Sequence, residues 1–353
     1  MDSNNFTLIF IITLFSLFFF KFIVLIFKKN YPKLLIDDRL NKPQAFHESP
    51  VSVTGGLGIF LSFLIIFFYF FQFKNVIFLQ YLTFCSLIFA LGFVDDLKIN
   101  VKAEVRLLLM TIFLVFMVKY NNFYLENTGI EFLNNWLAAS KIFSLIFICL
   151  CFLFIINGAN LIDGYNGLLG IHSLIILINL IIINFVFNNN DLANFLLLEA
   201  VVLLIFLMFN FPNAKIFLGD SGSYFLGSFI AISIIETSKA NPDISPFYFC
   251  ILLFYLFFEV FFSFIRKTFK EKKSPVRPDK KHLHMLLYKI LLKKNKSKLK
   301  SNYTVSIVIN LIYLILILPA IFMMKDGMFC KYYSLMFFVL YILLYKKAHE
   351  KVA

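Results

Sequence analysis

Four carboxylates sit beside apolar stretches rather than in open polar loops. Asp95 and Asp96 close the run Leu91-Gly92-Phe93-Val94-Asp95-Asp96-Leu97-Lys98. Asp163 lies in Asn160-Leu161-Ile162-Asp163-Gly164-Tyr165-Asn166-Gly167, and Asp220 in Phe217-Leu218-Gly219-Asp220-Ser221-Gly222-Ser223. Charge at an apolar boundary is costly, which makes residues at such places functional candidates. Oxygen donors without cysteine suit a hard cation, and two carboxylates completed by substrate phosphate oxygens are the usual Mg²⁺ arrangement. Mg²⁺ is therefore the expected cofactor, with Mn²⁺ as the alternative ion. A further polar segment, 266–304, adds Arg277, Asp279, Lys280, His282 and His284. Two histidines two residues apart, with no cysteine nearby, suit phosphate contact or proton transfer better than zinc.

Each motif also has a bland reading. An Asp pair can be a solvated helix end, and Asp-Gly-x-Asn-Gly an ordinary turn. Gly-Asp-Ser-Gly can place Asp220 or Ser221 at a helix N-cap. Gly55-Gly56 can simply allow close helix packing. What opposes these readings is the topology, which collects all the motifs on one side of a membrane.

That topology follows from composition. The chain has 353 residues, 61% hydrophobic and 15% charged, whereas a soluble domain is about 45–50% apolar and about 25% charged. No soluble core absorbs that much apolar surface. Apolar stretches of spanning length fall at 6–27, 56–73, 76–94, 105–118, 141–157, 168–187, 195–211, 222–237, 247–265, 305–324 and 328–345. They lack the strict alternation of a membrane β-barrel, so the expected fold is an all-α polytopic membrane protein with about eleven transmembrane helices. The first stretch is read as an uncleaved span, since it has Asp2 in place of a basic leader and lacks an A-x-A site.

Lys28 and Lys29 follow the first span and place its C-terminal end in the cytoplasm. Alternation then makes 28–55, 95–104, 158–167, 212–221, 266–304 and the tail after 345 cytoplasmic. With the flanking Arg106 and Lys215, these hold 26 of the 33 Lys and Arg, against six in the outer segments. The N-terminus is thus expected outside and the C-terminus inside, with the polar motifs on the cytoplasmic face of one transmembrane domain covering 1–353. The net charge of +13 reports this topology and contact with anionic headgroups, and no nucleic-acid partner is expected. The five cysteines lie in or beside apolar runs and read as packing residues. Within 266–304, Leu283, Leu286, Leu287, Ile290 and Leu291 recur at helical spacing among lysines, which predicts a short amphipathic helix on the membrane surface.

Taken in order, these segments resemble the polyprenyl-phosphate N-acetylhexosamine-1-phosphate transferases, the superfamily that includes the phospho-MurNAc-pentapeptide translocase. The resemblance also covers Lys42-Pro43-Gln44-Ala45-Phe46-His47, Thr54-Gly55-Gly56-Leu57-Gly58-Ile59-Phe60, and Arg277-Pro278-Asp279 with His282-Leu283-His284. It implies Mg²⁺-dependent transfer of a sugar 1-phosphate from a UDP-N-acetylhexosamine to undecaprenyl phosphate, with release of UMP, at the cytoplasmic side of a bacterial inner membrane. It also implies roles. Asp95 and Asp96 would serve catalysis and the lipid phosphate, Asp220 the metal, and Asn160 and Asp163 the nucleotide end. Asp163 is counted both as catalytic and as a second metal ligand. Phe217 would stack on uracil, and His282 and His284 would be catalytic. His47, Asn166 and Arg277 join the substrate-binding set. Lys98 and Lys102, with Arg106, are expected to hold the lipid phosphate.

Two departures bear on the branch. Asn166 stands where many members have a second acid, and the histidine motif is His-Leu-His-Met rather than a triple histidine. The sugar-transferase branch is therefore expected over the pentapeptide translocase. A lipid-linked-sugar transporter should place ionisable groups near the bilayer midplane, yet only Lys21, Glu199 and Glu259 lie well within or near spans. A non-catalytic scaffold is the other rival. A CDP-alcohol phosphotransferase would need a dense D-G-x-x-A-R motif, which is absent. The sugar, the glycan pathway (O-antigen, capsule or similar) and a homodimer are left open by the sequence.

Overall fold

The computed structural model describes residues 3–29, 35–37, 50–71, 76–99, 101–274 and 279–352. His47 and Arg277, and the whole segment 42–47, lie outside the described residues. The helices in chain order are α1 (Ser3–Lys29), α2 (Gly55–Phe71), α3 (Val76–Asp96), α4 (Ala103–Asn121), α5 (Glu131–Ala139), α6 (Lys141–Ile162) and α7 (Leu168–Val186). They continue as α8 (Asn190–Asn210), α9 (Gly219–Ala240), α10 (Pro246–Ile265), α11 (Leu283–Asn295), α12 (Lys298–Phe322) and α13 (Gly327–Val352). Helices satisfy every backbone polar group internally, which a lipid solvent demands.

Each of the eleven apolar stretches corresponds to one helix, and seven of them fall wholly within it. Among the described residues, eight helices, α1, α3, α6, α7, α8, α10, α12 and α13, are long and apolar enough to cross a membrane, and α2 is a shorter apolar helix. The two shortest expected stretches, 105–118 and 222–237, lie in α4 and α9, which fall outside that set. The reason is visible in their sequences: α4 carries Glu104, Arg106 and Lys119, and α9 mixes its apolar residues with repeated glycines and serines and with Glu236. Two elements were not expected. One is α5; the other is a two-residue antiparallel pairing of β1 (Ile36–Asp37) with β2 (Val51–Ser52).

The chain groups into two compact units. Unit 1 is Met1–Val101 with Asp163–Ser233, and unit 2 is Lys102–Ile162 with Ile234–Ala353. Unit 1 is built on α8, against which α1, α2 and α7 pack. Between helices in lipid the attraction is close packing rather than water exclusion, and phenylalanine supplies it here. Phe60 stacks on Phe89 with ring centroids 4.0 Å apart. Phe63 meets Phe225 edge-on at 5.1 Å, and Phe195 stacks on Phe229 at 5.8 Å. Gly56 of α2 faces Gly222 of α9 so closely that a Cβ on Gly56 would collide with the Gly222 backbone. That bears out the packing reading of the Gly55-Gly56 pair.

In unit 2, α10 packs on α6 and α13 and continues as a π-helical turn, Arg266–Lys270. The amphipathic helix predicted in 266–304 exists as α11. It packs on α12 and α13, and Met285, Leu286 and Tyr288 are buried.

Candidate active site

Asp96 is the last residue of α3, and it caps α9. Its Oδ1 accepts the Asp220 amide at 2.8 Å, and its Oδ2 accepts the Ser221 amide at 3.0 Å. The Ser221 hydroxyl donates to the same Oδ2. The first amides of a helix have no partner within it and form its positive end, so a carboxylate there is strongly favoured. This corrects the reading in which Asp220 or Ser221 caps α9: the cap comes from 124 residues upstream. Gly219 makes the joint geometrically feasible. Its φ is +82°, and a Cβ there would stand 2.7 Å from Asp96 Oδ2.

The segment before α9 is fixed by backbone pairing. Ser52 forms a parallel bridge with Ile216, and the Phe217 amide donates to the Ser52 carbonyl at 2.7 Å. The carbonyls of Phe217 and Leu218 in turn accept the Gly55 and Gly56 amides at 2.9 and 2.8 Å. The N-terminus of α2 is thereby satisfied, and the half-buried Phe217 ring is held by its backbone on both sides.

The loop between α6 and α7 is tied to the end of α8. The Asn210 side chain accepts the Gly167 amide at 2.7 Å and donates to the Ile216 carbonyl at 2.9 Å. Asn166 is buried, and its Nδ2 donates to the Pro212 carbonyl at 2.8 Å. A carboxylate at 166 has no proton for that bond. The amide is thus matched to its surroundings here, and reversion to an acid would set two acceptors against each other.

Asp163 closes the acidic group. Burial, then the neighbouring carboxylates of Asp220 and Asp96, push its carboxyl well above the usual range. Three carboxylates gathered at the ends of α3, α9 and the α6–α7 loop thus share one field. Lys98 ends the α3 turn in the left-handed region at φ +60°, its amide donating to the Asp95 carbonyl at 2.9 Å. Asp95, Asp96, Lys98, Asp163, Asn166, Phe217 and Asp220 all belong to unit 1.

The raised Asp163 pKa makes stability depend on pH. A raised folded-state pKa in an acid contributes stability that is fully present below about pH 4, the unfolded value, and is lost as pH rises through the folded value. Asp163→Asn cannot ionise, so without divalent cations it should raise Tm at pH 7–8. The gain should vanish near pH 4. Thermal unfolding of the two proteins in detergent across that range checks it, and equal Tm values at pH 8 would refute the shift.

The remaining expected residues lie in unit 2: Lys102, Asn160, His282 and His284. Lys102 is exposed and precedes α4, and Asn160 lies in the last turn of α6. Both histidines are buried, and their rings are parallel with centroids 5.5 Å apart. Around them is a charged network that the sequence reading missed. Glu259 Oε2 lies 3.1 Å from His282 Nδ1, and Glu259 Oε1 lies 3.7 Å from His284 Nδ1. Asp279 Oδ1 lies 3.3 Å from His282 Nε2. Arg266 grips Asp279 at 2.7 Å and Glu271 at 2.9 Å. Burial lowers the His284 pKa, and Glu259 only partly opposes it. Burial of Asp279 is overcome by the Arg266 hydrogen bond, which holds its carboxyl below the usual range. The available signal was a lone glutamate in a twenty-residue apolar helix.

Among the described residues, no three His, Cys, Asp or Glu side chains converge as a ready-made metal cage. A two-carboxylate donor set of Asp163 and Asp220 is the arrangement that hard divalent ions share with substrate phosphates.

A helical membrane protein with a carboxylate-rich helix junction is the class these features define. Residues 78–238 match Glycosyl transferase family 4, and the chain belongs to that family. The matched span includes Asp95, Asp96, Asp163, Phe217 and Asp220 but stops short of the histidines. The phospho-N-acetylmuramoyl-pentapeptide-transferase of Dictyoglomus turgidum is 36% identical over 195 residues, 54% of this chain and 61% of that protein. The enzyme of the same name from Dictyoglomus thermophilum is 32% identical over 237 residues, 65% of this chain and 74% of that protein. The undecaprenyl-phosphate alpha-N-acetylglucosaminyl 1-phosphate transferase of Thermotoga maritima is 28% identical over 238 residues, 67% of this chain and 68% of that protein.

Proposed function

We propose that this protein transfers a sugar 1-phosphate from a UDP-N-acetylhexosamine to undecaprenyl phosphate, releasing UMP, at the cytoplasmic face of a bacterial membrane. The supporting observation is the group of Asp163, Asp220 and Asp96, in which burial, and then the two neighbouring carboxylates, push the Asp163 carboxyl up. Asp220 and Asp163 suit Mg²⁺, which when bound would neutralise phosphate charge as the leaving group departs. Asp96 has both carboxylate oxygens on α9 and is assigned as the positioning residue for Asp220. Asp95 is then the member of the pair to contact the lipid phosphate.

The chemistry asks little else of the chain. A lipid phosphate monoester is already mostly ionised at pH 7. One of its oxygens attacks the β-phosphorus of the nucleotide sugar, and the bond from that phosphorus to the bridging oxygen breaks. UMP leaves with the bridging oxygen and its electron pair. Positioning and charge neutralisation supply the catalysis. The roles of Lys98, Lys102, Asn160, Asn166, His282 and His284 toward substrate, and those of His47 and Arg277, rest on the family resemblance.

Phe217 is assigned to the uracil ring. Base stacking on an aromatic is worth about 1–3 kcal/mol, so Phe217→Ala should raise KM for the nucleotide sugar about tenfold with kcat little changed. An unchanged KM removes the assignment.

The sugar-transferase branch is favoured by His282-Leu283-His284-Met285, which lacks a triple histidine. The pentapeptide translocase is the second reading, favoured by the 36% identity to the Dictyoglomus turgidum protein. The test is incubation of the full chain in lipid nanodiscs with undecaprenyl phosphate, Mg²⁺ and a panel of UDP-N-acetylhexosamines and UDP-MurNAc-pentapeptide. UMP release with a simple UDP-sugar supports the first reading. Release with the pentapeptide donor alone supports the second, and release with none overturns both.

A further inference from the structure

Glu259 sits on α10, fully buried, and a buried carboxylate is costly unless it is paired and hydrogen-bonded. Besides the Tyr341 hydroxyl of α13, which interacts with it, its partners come from one turn of chain. Oε2 meets His282 Nδ1 at 3.1 Å; Oε1 accepts the Leu283 amide at 3.1 Å and lies 3.7 Å from His284 Nδ1. Leu283 is the first residue of α11, and its N-cap, His282, makes no side-chain capping bond. The carboxylate therefore does for α11 what the helix does not do for itself.

We propose that Glu259 is the positioning residue for the His282–His284 pair, capping the first turn of α11 and fixing the proton on His282 Nδ1. The surroundings fit this role. Asp279 faces His282 from the opposite ring edge, at Nε2. An ionised carboxylate can only accept, so the Glu259 contact calls for the proton on His282 Nδ1. Asp279 is in turn fixed by Arg266, by Lys267 at 3.9 Å and by the Lys281 amide at 3.1 Å. On the other ring, the Tyr255 hydroxyl, one turn before Glu259 on α10, lies 3.3 Å from His284 Nδ1. A single face of α10, Tyr255 and Glu259 followed by Arg266, thus sets both ring planes. Parallel stacking of the two rings, with only 6° between their planes, is the visible result. With Nδ1 turned to Glu259, His282 is held in a single ring orientation.

For catalysis this rests on the transferase reading, but the clamp is testable without it. The chain has five histidines, so ¹⁵N-histidine NMR of the full chain in nanodiscs is tractable, with His282→Gln and His284→Gln providing assignments. Wild type should show a slowly exchanging proton on His282 Nδ1. Glu259→Gln keeps an oxygen to accept the Leu283 amide but removes the charge, and it should abolish that signal. Glu259→Asp, which keeps the charge on a shorter stem, should partly restore it and provides the comparison if the Gln variant fails to fold. Identical histidine spectra in wild type and variants overturn the proposal. With an active donor in hand, Glu259→Gln should lower kcat at least about tenfold, leave KM for the nucleotide sugar unchanged, and be partly rescued by Glu259→Asp. Full kcat in Glu259→Gln also overturns it. Absence of any activity in wild type counts against the transferase reading alone, because the spectra still decide the clamp.

Discussion

Asp220→Asn should abolish transfer while leaving the protein folded. The bond that anchors this residue runs from its backbone amide to Asp96 Oδ1, and substitution of the side chain leaves that amide in place. The cap on α9 therefore survives, and Tm without divalent cations should not fall. What is lost, on the proposed function, is a carboxylate oxygen for a hard cation. Removing one such electrostatic contact typically costs several kcal/mol of transition-state stabilisation, so kcat should drop by about a thousandfold. Mg²⁺ should raise the Tm of wild type and not that of the variant. A kcat within tenfold of wild type, measured as UMP release, would remove Asp220 from the reaction.

Gly219→Ala should be nearly as damaging, for a different reason. A left-handed backbone costs an L-residue about 1–2 kcal/mol, and here φ is +82°. Independently, the new methyl would lie 2.7 Å from the Asp96 carboxylate. Both penalties are relieved by moving Asp96 away from α9, which shifts Asp220. Displacement of a reacting group by about 1 Å can cost about a hundredfold in rate, and that loss in kcat is expected, with a lowered Tm. Gly164→Ala is the control. It stands beside Asp163, and a Cβ there meets nothing within 4 Å, so its Tm should match wild type. Equal Tm and kcat for Gly219→Ala and wild type would show that the joint tolerates displacement.

Both clusters use the same device: a carboxylate on one helix caps the start of another that bears candidate site residues. Asp96 of α3 does so for α9, and Glu259 of α10 does so for α11. This is also where the sequence was hardest to read. Apolar length is a local property, so all eleven stretches were visible as helices, and polar residues at their ends marked Asp95, Asp96, Asp163 and Asp220. A cap arriving from 124 residues away leaves no local trace; Gly-Asp-Ser-Gly looks self-sufficient because Asp and Ser are themselves good caps. The pairing of Ser52 with Ile216 was hidden likewise, being only one bridge long. Glu259 was noticed only as an oddity in an apolar helix, since the histidines that explain it lie more than twenty residues downstream. The count of spans was least legible where α4 and α9 carry charge into short apolar runs.

In the proposed reaction phosphate travels with the sugar, which a UDP-N-acetylhexosamine labelled with ³²P at the β-phosphate, incubated with undecaprenyl phosphate, Mg²⁺ and the full chain in nanodiscs, would reveal. Sugar 1-phosphate transfer predicts that the label moves into the lipid fraction while unlabelled UMP appears, and that Asp220→Asn stops both. Label retained in released UDP would mean that the sugar moves alone, and would contradict the assignment of the acidic cluster to phosphoryl transfer.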